Sequence, residues 1–145
     1  VYPQRRDVGK SLKWLYIIGR KGFKMKQYQI NNAYNTLRKL ANMPLPMKEA
    51  YDMYRLLKAL DVPYQFEIEK ERELFNQCGG TADENGNVRF PDRASEQKFR
   101  MGLQELGEMD PKVEFTPVVL SLDKLSEQEM TPIEIASLDG FVRFE

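Results

Sequence analysis

The stretch from Pro46 to Cys78 constrains this chain most, because it reads as a single helical segment. Met47, Ala50, Tyr51, Tyr54, Leu57 and Leu60 recur every three or four residues and so share one helical face, which predicts the core-facing stripe. Tyr64, Ile68 and Phe75 continue it beyond Pro63. Lys48, Glu49, Asp52, Arg55, Lys58, Glu67, Glu69, Lys70, Glu71, Arg72 and Glu73 are expected on the opposite, solvated face. Pro46 suits a first helical turn, where its missing N–H has no partner to lose. Gly79 or Gly80 can take the left-handed conformation that closes a helix. An internal proline costs roughly 3 kcal/mol, so Pro63 either kinks the helix or breaks it near Asp61-Val62. The stripe resumes in phase without a neighbouring Gly or Asn, which favours the kink.

The remaining elements can be read around that helix. Tyr28 to Asn42 carries a second apolar stripe of Ile30, Ala33, Tyr34, Leu37, Leu40 and Ala41, with Asn31 or Asn32 as cap. Met43-Pro44-Leu45-Pro46 is a short, stiff link. It implies that the two helices pack together, with Tyr34, Tyr51 and Tyr54 in the contact. Asn85-Gly86 is the preferred two-residue hairpin turn, with arms at Thr81–Asp83 and Val88–Phe90. Asp83, Glu84, Asn85 and Asn87 superficially suggest calcium ligands, but they lack the alternation and closing Glu of a calcium loop. A third helix starts at Asp92 or Ser95 and runs to about Gly107, and Gly102 suggests a close helix–helix approach. Lys112 to Leu122 is the best strand, demoted to an edge or bent by Pro117. Thr131-Pro132-Ile133-Glu134 is a capping box with proline at the first helical position. The tail Phe141–Phe144 either pairs with the strand or docks on the helices.

These elements predict an α+β fold, mostly α. A long antiparallel helical hairpin is tipped by a small β-hairpin, with a C-terminal strand and short capped helix at the base. Residues 25–145 form the expected single domain, and residues 1–24 a basic extension. Apolar residues are 41% of the chain and charged residues 30%, the balance of a folded rather than a disordered sequence. The apolar run Trp14–Ile18 is too short for the roughly 20 residues of a membrane span. A cytoplasmic location is therefore expected.

Chemistry is limited by what the chain lacks. It contains no histidine, which removes the commonest general base and transition-metal ligand. Cys78 is the only cysteine, so neither an internal disulfide nor a thiolate zinc cluster can form within the chain. Its place at a helix C-terminus has the wrong dipole sign for activating a thiol. No phosphate-binding loop is present, since Gly79-Gly80 has no following Lys-Ser/Thr. The expectation is a protein that is not an enzyme, with no cofactor and no metal.

The formal net charge of zero hides an asymmetry. Residues 1–26 hold Arg5, Arg6, Lys10, Lys13, Arg20, Lys21, Lys24 and Lys26 against Asp7 alone, a net +7, which leaves −7 for the rest. These eight cations, interleaved with Trp14, Tyr16 and Phe23, are the candidate nucleic-acid contacts. The same composition suits a membrane-surface anchor or an extension docked on the acidic body. A further reading is that Arg20–Lys24 is encoded by a purine-rich ribosome-binding site, which would make Met25 the natural start.

From Met25 to Phe144 the chain resembles a family of small uncharacterised proteins of tailed bacteriophages and prophages. The resemblance is carried by Ala33–Leu40, Leu45-Pro46, the Glu-Lys-Glu-Arg run within Phe66–Phe75, Asp83–Asn87, Val113-Glu114-Phe115, and Leu125–Phe141 with Thr131-Pro132 and Leu138-Asp139-Gly140-Phe141. It implies a phage or prophage protein in the cytoplasm of a host bacterium. Such a protein would act through contact with a host or phage protein, in virion assembly or in modulating a host factor. The family brings no site residue with it. The alternative is a small nucleic-acid-binding protein using the basic arm. The tyrosines and methionines of the long helix also allow a homodimer.

Overall fold

A computed structural model describes residues 25–125 and 128–145. The element order is α1 (Gln27–Ala41), α2 (Met47–Gln77), β1 (Thr81–Ala82), β2 (Val88–Arg89), α3 (Arg93–Glu108), β3 (Val118–Leu120), a 3-10 turn (Asp123–Leu125), α4 (Pro132–Ser137) and β4 (Val142–Phe144). The fold is α+β and mostly α, as the sequence predicts.

Helix α1 begins one residue earlier than its pattern suggests. Asn31 and Asn32 lie inside it rather than at its cap. The capping position is Lys26, whose N–H donates to Gln29 Oε1 at 2.8 Å, while the Gln27 N–H donates to the Met109 carbonyl at 2.9 Å. Ile30, Ala33, Tyr34, Leu37 and Leu40 are buried as the 3.6-residue period requires. Ala41 is exposed instead of completing the stripe.

Helix α2 is continuous through Pro63. Its buried residues are Met53, Leu56, Leu60, Pro63 and Glu67. This corrects the expected core stripe, because Met47, Tyr51 and Tyr54 face outward and only Leu60 of that set is fully buried. Glu67 also departs from its expected solvated face. At about 100° of turn per residue, the buried row and the Met47–Tyr51–Tyr54 row lie about 180° apart. The helix is therefore apolar on two opposite sides, and α1 covers only one. Pro63 is tolerated within the buried row, where its carbonyl accepts a hydrogen bond from the buried Gln27 side chain at 2.6 Å.

The C-terminus of α2 closes as a Schellman motif. Gly79 has φ +74°, its N–H donates to the Asn76 carbonyl at 3.1 Å, and the Gly80 N–H reaches the Phe75 carbonyl at 2.9 Å. The hairpin that follows pairs Thr81 with Arg89 and Ala82 with Val88. Its turn is wider than the two-residue form expected from Asn85-Gly86. The Gly86 N–H donates to the Asp83 carbonyl at 3.0 Å and only Gly86 has positive φ, so a type I turn is followed by a left-handed glycine. Asp83 explains the wider loop: its carboxylate accepts from the N–H groups of Asn85 and Asn87 at 2.9 and 2.8 Å. Its pKa is lowered, chiefly by the Asn87 hydrogen bond.

Helix α3 is capped by Asp92, which accepts from the Ser95 N–H at 2.7 Å, and it returns antiparallel to α2. Gly102 marks the close approach expected of it, since a Cβ there would lie 2.5 Å from Leu74 Cδ2. Phe75, Phe90 and Phe99 form a small aromatic cluster at the tip, with ring centroids 5.1 to 5.7 Å apart.

The base holds the main core. The predicted strand over 112–122 contracts to Val118–Leu120, because Pro117 cannot donate to a ladder. The C-terminal tail pairs with it as a parallel strand, Val118 opposite Val142 and Leu120 opposite Phe144. Ile30, Leu37, Leu40, Leu56, Leu60 and Val118 pack in one cluster with Leu120, Leu138 and Phe141. The Thr131–Glu134 capping box forms as predicted, at 2.9 and 3.1 Å.

Candidate interaction surface

Among the described residues, the face of α2 turned away from α1 carries a row of apolar side chains left in solvent. Met47 is 85% exposed, Tyr51 and Tyr54 are each 56% exposed and Val62 is 75% exposed. Their spacing of 4, 3 and 8 residues keeps them on one side of a straight helix. The Tyr51 and Tyr54 ring centroids are 6.3 Å apart. Arg55 lies over the Tyr51 ring at 6.0 Å and Lys58 over Tyr54 at 5.7 Å. The surface is thus aromatic at its centre and cationic at its margin, a mixture of residue types that carries binding energy at protein interfaces.

Tyr34 has a different role from the other two tyrosines. It stacks on Tyr64 with ring centroids 3.7 Å apart and planes 8° from parallel, and its hydroxyl donates to Asp61 Oδ1 at 3.2 Å. Burial, with the Asp61 contact, raises its pKa. The expected contact of Tyr34 with Tyr51 and Tyr54 is therefore replaced by a Tyr34–Tyr64 stack. Val62, and Phe66 one turn beyond it, are further exposed apolar groups that a single-stripe pattern does not mark. The signal available in the sequence was the second apolar row, which a single-face reading of α2 merges with the first.

Two other features bring charged groups into partly enclosed positions. A groove of about 640 Å³ lies between α2 and residues 114–119, lined by Lys48, Asp52, Arg55, Leu56, Glu114 and Val119. Two of its charges satisfy each other, since Lys48 pairs with Asp52 at 3.2 Å. The second feature is Glu67, 6% exposed, whose Oε2 has no hydrogen-bond partner among the described residues. Burial lifts its pKa to about 6 and neighbouring Glu71 adds to the rise, while Gln27 opposes it. Glu71 is itself raised by burial. Neither carboxylate lines the groove between α2 and residues 114–119.

Of the candidate nucleic-acid residues, Arg5, Arg6, Lys10, Lys13, Arg20, Lys21 and Lys24 lie outside the described residues. Lys26 is described, and its ammonium pairs with the Glu108 carboxylate, which raises its pKa. Cys78 is buried. Among the described residues no group of three His, Cys, Asp or Glu side chains is placed to hold a metal ion. No helix among them is long and apolar enough to cross a membrane. No protein-family model, curated protein or solved structure matches the chain.

Proposed function

We propose that this chain is a non-enzymatic protein of a tailed bacteriophage or prophage that acts in the host cytoplasm through protein–protein contact, in virion assembly or in modulating a host factor. The outward row of α2 is its contact surface. One observation carries the contact reading: Met47, Tyr51, Tyr54 and Val62 remain exposed on a helix whose opposite side already supplies the core. Leaving a row of large apolar groups in water gives the fold nothing, whereas burying it against a partner removes apolar area at roughly 25 cal/mol per Å². The phage assignment rests on the resemblance of residues 25–144, and the absence of histidine supports a non-catalytic role.

Affinity capture from a bacterial lysate, with the wild-type chain and the Tyr51→Ser/Tyr54→Ser variant side by side, tests this reading. The variant should lose the captured protein while keeping its thermal midpoint. Equal capture by both would place the contact elsewhere. Self-association, lost on the same substitutions, would make the partner a second copy.

The charge asymmetry supports a second reading, a nucleic-acid contact through the basic arm. Binding to DNA or RNA that falls steeply with salt and disappears on removal of residues 1–24 would favour it.

A further inference from the structure

The charges around the outward row of α2 narrow what can cover it. From Met47 to Phe66, the side of the helix within about 60° of the direction opposite Leu60 holds Lys48, Arg55 and Lys58 and no acidic residue. The three acids of that stretch lie on other sides and are engaged. Glu49 pairs with Lys124 at 3.7 Å, Asp52 with Lys48 at 3.2 Å, and Asp61 accepts the Tyr34 hydroxyl at 3.2 Å. Arg55 and Lys58 form no ion pair with the described residues. They lie instead over the Tyr51 and Tyr54 rings, at 6.0 and 5.7 Å. Glu114 lines the same groove as Arg55 without pairing with it. Glu69, the next acid on the outward side, lies about 10 Å beyond Val62 along the axis. Three cations against Asp52 and Glu114 leave the surface at +1.

We infer that the partner segment seated on this row is an acidic amphipathic helix. Its apolar side meets Met47, Tyr51, Tyr54 and Val62, and its carboxylates pair with Arg55 and Lys58. The inference rests on the reading of the row as the contact surface and adds the chemistry of the partner. Charge complementarity carries it. A wholly apolar partner would bury Arg55 and Lys58 without counter-charges, which is costly, so the partner must bring carboxylates. A symmetric pair of copies would set the row against itself and place two Arg55 and two Lys58 side chains in one contact. A phosphate backbone would answer the cations but would leave Met47 and Val62, 85% and 75% exposed, without apolar partners. The helical form follows from spacing. The row runs about 22 Å from Met47 to Val62, roughly four turns, and a helix laid along it offers anchors at the same three- and four-residue intervals.

Selection from a yeast-displayed library of random peptides, each about 16 residues long to match the row, tests the inference on the full chain. Peptides enriched by the wild type should carry Asp and Glu severalfold above the unselected library, interleaved with apolar residues at helical spacing. The charge-reversed variant Arg55→Glu/Lys58→Glu, altered only at exposed positions, should enrich Lys and Arg instead, with its far-ultraviolet circular dichroism unchanged. The strongest wild-type peptide, labelled and followed by fluorescence anisotropy, should bind the reversed variant about tenfold more weakly and should weaken with added salt. Its behaviour with the wild type alone keeps the inference testable even if the variant misfolds. Wild-type selection that yields neutral or basic peptides, or none, would overturn the inference. Binding that Tyr51→Ser/Tyr54→Ser abolishes but charge reversal leaves intact would overturn the acidic partner and keep the contact surface. Binding indifferent to both pairs of substitutions would overturn both. Two further results would reassign the face and overturn the inference. One is binding of a labelled single-stranded DNA oligonucleotide that charge reversal abolishes. The other is self-association in sedimentation that Tyr51→Ser/Tyr54→Ser abolishes.

Discussion

Glu67→Gln should stabilise the protein at neutral pH, and the reason lies in how this carboxylate is buried. Glu67 is 6% exposed on the core side of α2, and one of its oxygens has no hydrogen-bond donor among the described residues. Burial raises its pKa from 4.5 to about 6. Each unit of such a shift is worth about 1.4 kcal/mol, so the ionised folded state carries a cost of about 2 kcal/mol above pH 6. The sign follows from proton counting. Between 4.5 and 6 the folded chain holds the proton that the unfolded chain has released, so stability falls as pH rises through this window. Below 4.5 both states are protonated and the cost vanishes. Asp83, Asp92 and Glu134 have lowered pKa values and oppose this trend, losing stability as pH falls through their folded values. The wild-type pH profile alone therefore mixes the two. The difference between Glu67→Gln and wild type, from urea unfolding across the range pH 4 to 7, isolates Glu67. It should grow from near zero to about 2 kcal/mol in favour of the variant. A variant less stable at pH 7, or a difference independent of pH, would refute the reasoning.

Other positions give sharper local tests. Tyr51→Ser/Tyr54→Ser should change the unfolding free energy by no more than about 0.5 kcal/mol, as exposed substitutions do, whereas Leu60→Ala in the same helix should cost about 3 kcal/mol in a denaturant titration. Thr131→Ala removes the hydroxyl that accepts the Glu134 N–H at 3.1 Å and should lower stability by about 1 kcal/mol, read from the thermal midpoint. Lys112 holds φ +50°; a side chain there costs 1 to 2 kcal/mol, roughly, so Lys112→Gly should stabilise by about 0.5 kcal/mol after the extra chain entropy of glycine is subtracted.

Local signals were the most legible part of the sequence. The Schellman glycine at Gly79, the Asp92 cap and the Thr131–Glu134 box each depend on a few adjacent residues, and each forms where its chemistry requires. The α1 row was also plain, because that helix has one apolar side. Helix α2 was ambiguous for a physical reason. Met53, Leu56 and Leu60 make one row, Met47, Tyr51 and Tyr54 another, and periodicity assigns neither to the core. The choice belongs to the shape of the α1 face and to Gln27, which meets α2 at Pro63. The hairpin turn differs from the two-residue form because the side chain of Asp83, rather than the Asn85-Gly86 dipeptide, sets the loop. The burial of Glu67 had no sequence signal, since a Glu among charged neighbours looks solvated until α1 is packed over it. The outward surface was visible only as surplus, namely more apolar residues on α2 than one face can use.

Residue-resolved tyrosine labelling, read by mass spectrometry on the free chain and on the chain recovered with its captured partner, tests the surface most directly. Tyr51 and Tyr54 should react readily in the free protein, with Tyr34 protected, and both should become protected in the complex. Protection of Tyr51 and Tyr54 in the free monomer, or undiminished labelling in the complex, would contradict an outward α2 row that exists to meet a partner.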